Sequence, residues 1–379
     1  MRRSGAHQLA LIAPYPPPRG GVSIHILRLT RLLDAAGIDY VVYDTTRATG
    51  SGRTHPRVRK LGRWRVGRLF WYAIRSPDRS VYLCSGRLSL WILGALLARR
   101  RFVALRLQTT ELVPAARGSR LRRHLVRTLL RRFDRVICVN ALLMEAVEGL
   151  GVPAARLRLF PGYLPPSPEE LEADSVHPSV WRFLQGRHPV IAASGAFLVD
   201  KGRDVYGFDH LVQLANTLSR RYSRLAIVVC LWRVEGPKEM HALDELQRTL
   251  RRNGLEKYIY FNPNPGGFLP VIAAADVLVR PTAIEGDANT VREALEVGVP
   301  VVASDVTPRP DGCELFPYGD QNAFVAKVVA TLDSREARSV SHQDGSCEHL
   351  APDRTWFHPG SIAERYIGEI QSWISERPS

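Results

Sequence analysis

Two glutamates, Glu285 and Glu293, stand with seven residues between them in "EGDANTVRE". Two glutamates at this spacing are also common by chance, so their context decides the reading. The surroundings are specific. "DVLVRP" reads as a strand stopped by Pro281, "TAIEGDA" as the loop at its carboxyl end, and "NTVREALEVG" as a helix closed by Gly298. A helix start offers free backbone N–H groups and partial positive charge, a natural place for phosphate. Gly286 removes a side chain where a ligand could approach the backbone. A competing reading holds at Glu293. Thr290-x-x-Glu293 fits a capping box, in which the glutamate serves only its own helix end.

A second candidate lies near the start. "PYPPPRGGVSIH" places Gly20 and Gly21 between a first strand and a first helix. The glycines suit either a tight turn or close approach by a ligand, and Arg19 beside them could neutralise phosphate. His25, one turn into the helix, either faces the ligand or packs. The five cysteines (Cys84, Cys138, Cys230, Cys313, Cys347) include no C-x-x-C pair and no metal-site spacing. Cys84, Cys138 and Cys230 fall in strand-like runs and read as core thiols, so a reducing cytosol and no structural zinc are expected.

The elements that position these residues alternate. "HQLALIAPY", "IDYVVYD", "SVYLC", "RFVALRL", "RVICV" and "LRLFPG" read as strands, with helix-like sequence after most of them. "GGVSIHILRLTRLLDAAG" is a helix closed by Gly37. A Pro- and acid-rich stretch follows, and then the rhythm restarts with "VIAASGA", "RLAIVVC", "YIYFN", "DVLVRP" and "PVVASD". Strands alternating with helices predict parallel, doubly wound sheets. The expected layout is an α/β chain of two Rossmann-like domains facing across an interdomain cleft. Residues 1–162 form the first domain, 163–187 a linker and 188–357 the second domain. Residues 358–379 form a C-terminal helix crossing back to the first domain. The polar stretch from Asp333 to Asp353 reads as a surface loop.

Charge is uneven. The chain of 379 residues carries a net charge of +15. Between Arg53 and Arg135, 22 Lys and Arg stand against three acids, Asp78, Glu111 and Asp134. So dense a block attracts phosphate, on lipid or on nucleic acid, unless it is simply a solvated arginine-rich surface. Trp64, Phe70 and Trp71 among the arginines favour an anionic membrane surface. The longest apolar run, Leu88 to Ala98, has 11 residues and is too short to span a bilayer. The expected location is the cytoplasm, peripheral at the inner membrane face.

The C-terminal half resembles the donor-binding domain of retaining GT-B glycosyltransferases, specifically glycosyltransferase family 4. That family's mark is Glu, seven residues, Glu, then Ala and a "G-x-P-V-x-A-S-D" strand, and "EALEVGVPVVASD" follows Glu285 as that pattern requires. "RPTAIEGDANTVREALEVGVPVVASDVTPRPDG" and "DVYGFD" resemble a bacterial branch that makes surface polysaccharides. The resemblance implies that Glu293 holds the donor ribose and Glu285 the transferred sugar. Backbone across Gly286, Asp287, Ala288, Asn289 and Thr290 would border the sugar and diphosphate. Gly20 and Gly21 would approach the diphosphate.

The chain also departs from that pattern. Members carry Gly-Arg and then Lys-Gly to grip the diphosphate. Here Gly195 is followed by Ala196, and either Lys201 or Tyr206 takes the lysine's place. Arg280, Arg292 or Arg203 could supply the missing charge. A histidine common in the family falls on Gln108, which cannot take a proton, and Glu111 is nearby. The implied activity is retaining, metal-independent hexosyl transfer, with no cofactor and a UDP- or GDP-linked sugar as donor substrate. The implied acceptor is a glycan or lipid-linked glycan. Two rivals are a nucleotide-sugar epimerase of the same architecture and a basic nucleic-acid-binding protein. No nucleic-acid recognition motif is found, and nucleic acid is not an expected partner.

Overall fold

The computed structural model describes residues 8–17, 19–46, 55–61, 67–69, 71, 80–108, 119–167, 170, 172, 176–200, 202–232, 234–341 and 360–376. The chain divides into two compact units, Met1–Leu164 with Pro359–Ser379, and Pro165–His358.

The first unit holds strands β1 (Leu9–Ala13), β2 (Tyr40–Asp44), β3 (Val58–Lys60), β4 (Ser80–Cys84), β5 (Phe102–Leu107), β6 (Arg135–Cys138) and β7 (Leu157–Leu159). They form one sheet in the order β3-β2-β1-β4-β5-β6-β7, with every pairing parallel. Helices α1 (Gly21–Ala35), α2 (Leu88–Leu97), α3 (Arg120–Leu130) and α4 (Ala141–Glu148) lie between strands in sequence. β1, β2, β4 and β5 are buried along their whole length, which explains their mostly apolar sequences. Gly37 has φ +66 and ends α1 as its sequence requires.

The second unit holds α5 (Pro178–Leu184), β8 (Val190–Gly195), the hairpin β9 (Val199–Asp200) and β10 (Arg203–Asp204), α6 (Phe208–Leu218) and β11 (Ala226–Leu231). After these come α7 (Pro237–Arg252), β12 (Ile259–Pro263), α8 (Leu269–Ala273), β13 (Val277–Arg280), α9 (Asn289–Glu296), β14 (Val301–Ser304), β15 (Cys313–Phe316) and α10 (Gln321–Ser341). Its main sheet is parallel in the order β12-β11-β8-β13-β14-β15. Within 163–187, α5 is anchored by Val176 and Val180, which are buried with Val228, Cys230 and Val271.

The final helix α11 (Gly360–Ser375) belongs to the first unit. It buries Tyr366, Ile370 and Trp373 in the core that also holds β1 and α1 side chains. Ser80 Oγ donates to the Trp373 carbonyl at 3.0 Å, and Arg158 Nε donates to Glu369 at 2.9 Å.

The loop expected from Asp333 does not start there. α10 runs on to Ser341, because Asp333 is held by Arg221 at 2.7 Å and Arg335 lies 3.6 Å from Asp276. Residues 342–353 lie outside the described residues. The basic block is also not all surface. Arg101 and Arg106 are buried, and Arg135 is paired with Glu369 of α11 and with Glu376 just past its end. Cys84, Cys138 and Cys230 are buried free thiols, and burial pushes Cys138 and Cys230 up to about 12. Cys347 lies outside the described residues.

Candidate functional site

The order of the second sheet reverses between β8 and β13. Open parallel sheets take ligands outside the carboxyl ends of strands at such a switch point. β8 ends in Ser194 and Gly195, and β13 ends in Arg280. Arg280 joins the two strand ends, since its Nη1 donates to the Ser194 carbonyl at 2.8 Å and to Ser194 Oγ at 3.0 Å. Tyr206 and Trp232 set their rings 5.3 and 5.8 Å from the guanidinium carbon.

The rest of Arg280 is spent on Glu285. Nε and Nη2 both donate to Oε1, the former at 2.9 Å. Oε2 accepts from Thr282 Oγ1 at 3.2 Å and from Arg309 Nη1 at 2.5 Å. The side chains of Arg280, Glu285 and Arg309 are 5%, 8% and 2% exposed. Burial alone would push the Glu285 carboxyl up, but the two guanidiniums outweigh it and hold it at about 2. All four lone-pair positions of Glu285 are thus met by protein donors. Arg280, expected to supply charge to a phosphate, is instead committed to Glu285 and Ser194.

Arg309 was not among the residues singled out from sequence. It lies in the loop after β14 and also donates from Nε to the Ser304 carbonyl at 3.1 Å. Ser304 Oγ donates to the Thr282 carbonyl at 2.7 Å, and Thr307 Oγ1 to the Gly286 carbonyl at 3.2 Å. The loops after β13 and β14 are therefore stitched together. The only sequence signal for Arg309 was its place just past the carboxyl end of a parallel strand.

α9 starts at Asn289 with Ala288 as its N-cap, and no side chain caps it. This removes the capping-box alternative, because Thr290 is the second helical residue and Glu293 the fifth. Glu293 is buried. Thr290 Oγ1 is buried with no hydrogen-bond partner among the described residues. Asp287 pairs with Arg292, whose Nε lies 3.0 and 3.3 Å from its two carboxylate oxygens. The uncapped helix start, Thr290 and Glu293 thus follow directly on the loop that leaves β13 at the switch point.

Gly195 is small for a packing reason. A Cβ there would come within 2.9 Å of Tyr206 and Phe208 side-chain atoms. Tyr206 is thus a wall of the Arg280 pocket, and burial raises its phenol above the ordinary value. Lys201 lies outside the described residues. Gly207 has φ +71, and a Cβ on it would sit 2.3 Å from the Pro281 carbonyl oxygen. Asp204 supports this turn by accepting from the Tyr206 N–H at 2.9 Å and from the Phe208 N–H.

In the first unit, Gly20 precedes α1, and its N–H donates to Ser23 Oγ at 2.8 Å. Gly21 is exposed, and a Cβ there would meet nothing within 4 Å, so protein packing does not demand glycine. Arg19 is exposed. Gln108 directly follows β5 at its carboxyl end, and Glu111 lies outside the described residues. His25 packs: Nδ1 lies 3.0 Å from the Gly162 carbonyl oxygen and Nε2 3.2 Å from Tyr82 Oη. Burial, with Arg106 adding to it, lowers its imidazole well below the ordinary value. Among the described residues no three His, Cys, Asp or Glu are grouped to hold a metal, and no helix is long and apolar enough to cross a membrane.

Two parallel-sheet α/β units of this kind define the GT-B class. Sucrose-phosphate synthase (tll1590) from Thermosynechococcus elongatus matches with a TM-score of 0.70 at 17% identity, over 97% of this chain and 99% of that one. Anabaena Alr3699/HepE in complex with UDP-glucose matches with a TM-score of 0.68 at 16% identity, over 96% and 99%. The E. coli structure titled trehalose-6-phosphate bound with UDP-2-fluoro glucose matches with a TM-score of 0.61 at 11% identity, over 96% and 98%. Residues 19–164 match the family model described as Glycosyltransferase Family 4, and residues 188–334 the model described as Glycosyl transferases group 1. The chain is a glycosyltransferase of the family 4 type. No curated protein matches it in sequence.

Proposed function

We propose that the protein is a retaining glycosyltransferase that moves a sugar from a nucleoside-diphosphate sugar, UDP- or GDP-linked, to a glycan or lipid-linked acceptor. The setting would be bacterial polysaccharide or glycoconjugate assembly. The observation that carries the donor assignment is the uncapped start of α9, with Thr290 Oγ1 unpartnered and Glu293 buried one turn on. The start of α9 and its helix dipole would receive the diphosphate. Glu293 would accept from the ribose hydroxyls. The complexes of HepE with UDP-glucose and of the E. coli protein with UDP-2-fluoro glucose support a donor of this kind.

Catalysis would rest on orientation and charge. In front-face attack the acceptor hydroxyl bonds to the anomeric carbon on the side the phosphate leaves, and the departing phosphate oxygen takes the hydroxyl proton. No protein base is needed, which suits Gln108 at the end of β5. Lys201 and the α9 dipole would stabilise the leaving diphosphate without a metal.

The acceptor side favours a membrane surface. On α3, Arg120, Arg122, Arg123 and Arg127 are exposed together with Leu121, which is 79% exposed, and Leu125. A basic helix with exposed leucines fits the headgroup region of an anionic bilayer. The protein would then work peripherally at the cytoplasmic membrane face.

A thermal-shift panel with UDP, GDP, ADP, CDP and dTDP, each with and without magnesium, tests the donor assignment. A nucleotide at about 100 times its Kd should stabilise the fold by about 2.7 kcal/mol. Stabilisation by one nucleotide without metal is expected, and no response from folded protein to any of them would refute the reading.

A further inference from the structure

Glu285 touches three neighbouring strands of the second sheet. Through Arg280 it reaches the end of β13 and the Ser194 carbonyl at the end of β8. Through Arg309 it reaches the loop after β14, where Arg309 also holds the Ser304 carbonyl. β8, β13 and β14 are adjacent in the sheet. One carboxylate thus ties together three strand ends at the switch point. The turn that begins at Glu285 leads within four residues to the start of α9.

We infer that Arg309 is a positioning residue of the donor site: with Arg280 it holds Glu285 as an internal brace, and the brace sets the 285–288 turn beside the transferred sugar. Glu285 then reads no sugar hydroxyl itself. The inference rests on the proposed donor site and deepens it. Three observations carry it. Both Glu285 oxygens are engaged by protein donors. All three charged side chains are nearly inaccessible. Among the described residues, Arg309 makes its further bonds to the loops it stitches, at Ser304 and Thr282. An arginine fork suits such a joint, since it bonds several acceptors in one plane.

Nucleotide affinity and turnover should therefore separate. The nucleotide is held by α9 and Glu293, whereas the brace orients the turn at the sugar. Losing Arg309 should lower kcat by about 10²-fold, the usual effect of a small misplacement near the reacting bond, and leave the nucleotide Kd unchanged. Charge gives a second signature. The charged and titratable groups facing Glu285 are Arg280 from β13, Arg309 from the loop after β14 and Tyr206 from the turn before α6. Without Arg309 the carboxyl rises toward its ordinary range. Acidification then protonates it at a higher pH than in wild type and releases the brace, so kcat should gain an acid limb.

The experiment uses the full chain and the nucleotide that responds in the thermal panel, with its sugar conjugates as donors. Wild-type binding is measured first, and its absence overturns the proposed function together with this inference. R309M and E285Q are then compared for nucleotide Kd by calorimetry and for kcat across pH. Both should keep Kd and lose kcat to a similar degree, the acid limb should appear in R309M, and R309M/E285Q should lose no more than either single variant. R309K, which keeps the cation, should show no acid limb. E285Q is nearly isosteric and keeps the test decisive if R309M does not fold. Wild-type kcat in folded R309M or E285Q would overturn the inference alone. So would multiplicative losses in the double variant, or a loss of nucleotide affinity matching the loss of kcat.

Discussion

Arg280, the last residue of β13, donates to the carbonyl oxygen of Ser194 at the end of β8 at 2.8 Å. This bond crosses the point where the second sheet reverses its strand order. A buried guanidinium there needs a counter-charge, and Glu285 supplies it five residues later. The position of the loop after β13 thus follows from satisfying one buried cation.

Glu285 gives a pH prediction. Its carboxyl lies at about 2 in the folded chain and near the ordinary value of about 4.3 when unfolded. A depressed carboxyl stabilises the fold fully above the unfolded value, and that contribution is lost as pH falls toward the folded value. The stake is about 3 kcal/mol, lost between about pH 4.3 and 2. Urea unfolding at both ends of that window should show a steeper loss for wild type than for E285Q. Equal slopes would contradict the ion pairing.

Two glycines with the same backbone angle should differ. Gly207 and Gly298 both have φ +71, but only at Gly207 would a Cβ meet an atom, the Pro281 oxygen at 2.3 Å. Gly298→Ala should cost about 1 kcal/mol, the price of the left-handed backbone alone. Gly207→Ala should cost more, at least about 2 kcal/mol, because Pro281 must also move. Chemical denaturation of both variants measures the difference, and equal costs would count against this packing.

The strands that carry the site were legible because they are buried along their length and mostly apolar, as in "LALIA" and "VIAASG". β3, the hairpin of β9 and β10, and β15 escaped notice because they are short and largely exposed, with no periodicity to read. The Glu285 and Glu293 spacing was visible as a local pattern. Its chemistry was not, because the partner that completes Glu285 lies 24 residues away in another loop. The Thr290 capping pattern misled for a related reason. Where α9 begins is set by how its flanking loop is stitched to Thr307 and Ser304, and the four-residue motif does not record that.

His25 was open between ligand binding and packing, and its burial settles the matter. The unfolded imidazole takes a proton near pH 6.5, and the folded one resists until well below that. Stability should therefore fall as pH drops below the unfolded value. The His25 ring resonances should stay fixed between about pH 5 and 8, where an exposed histidine titrates. A midpoint inside that range would contradict the packing.

The α3 face makes a membrane prediction. Each arginine near an anionic surface contributes about 1 kcal/mol, so R122E/R123E/R127E should weaken vesicle binding by about 3 kcal/mol or more. Sedimentation with phosphatidylglycerol and phosphatidylcholine vesicles measures this. Equal binding of wild type to both lipids, or an unaffected triple variant, would remove the membrane surface as a partner.

The most direct test of the donor site is calorimetry of wild type and E293A with the nucleotide that stabilises the fold. The account predicts binding to wild type and at least about tenfold weaker binding to folded E293A, the loss of roughly 1.4 kcal/mol at the ribose. Equal affinity in the two proteins would contradict the assignment of Glu293 and the donor site built on it.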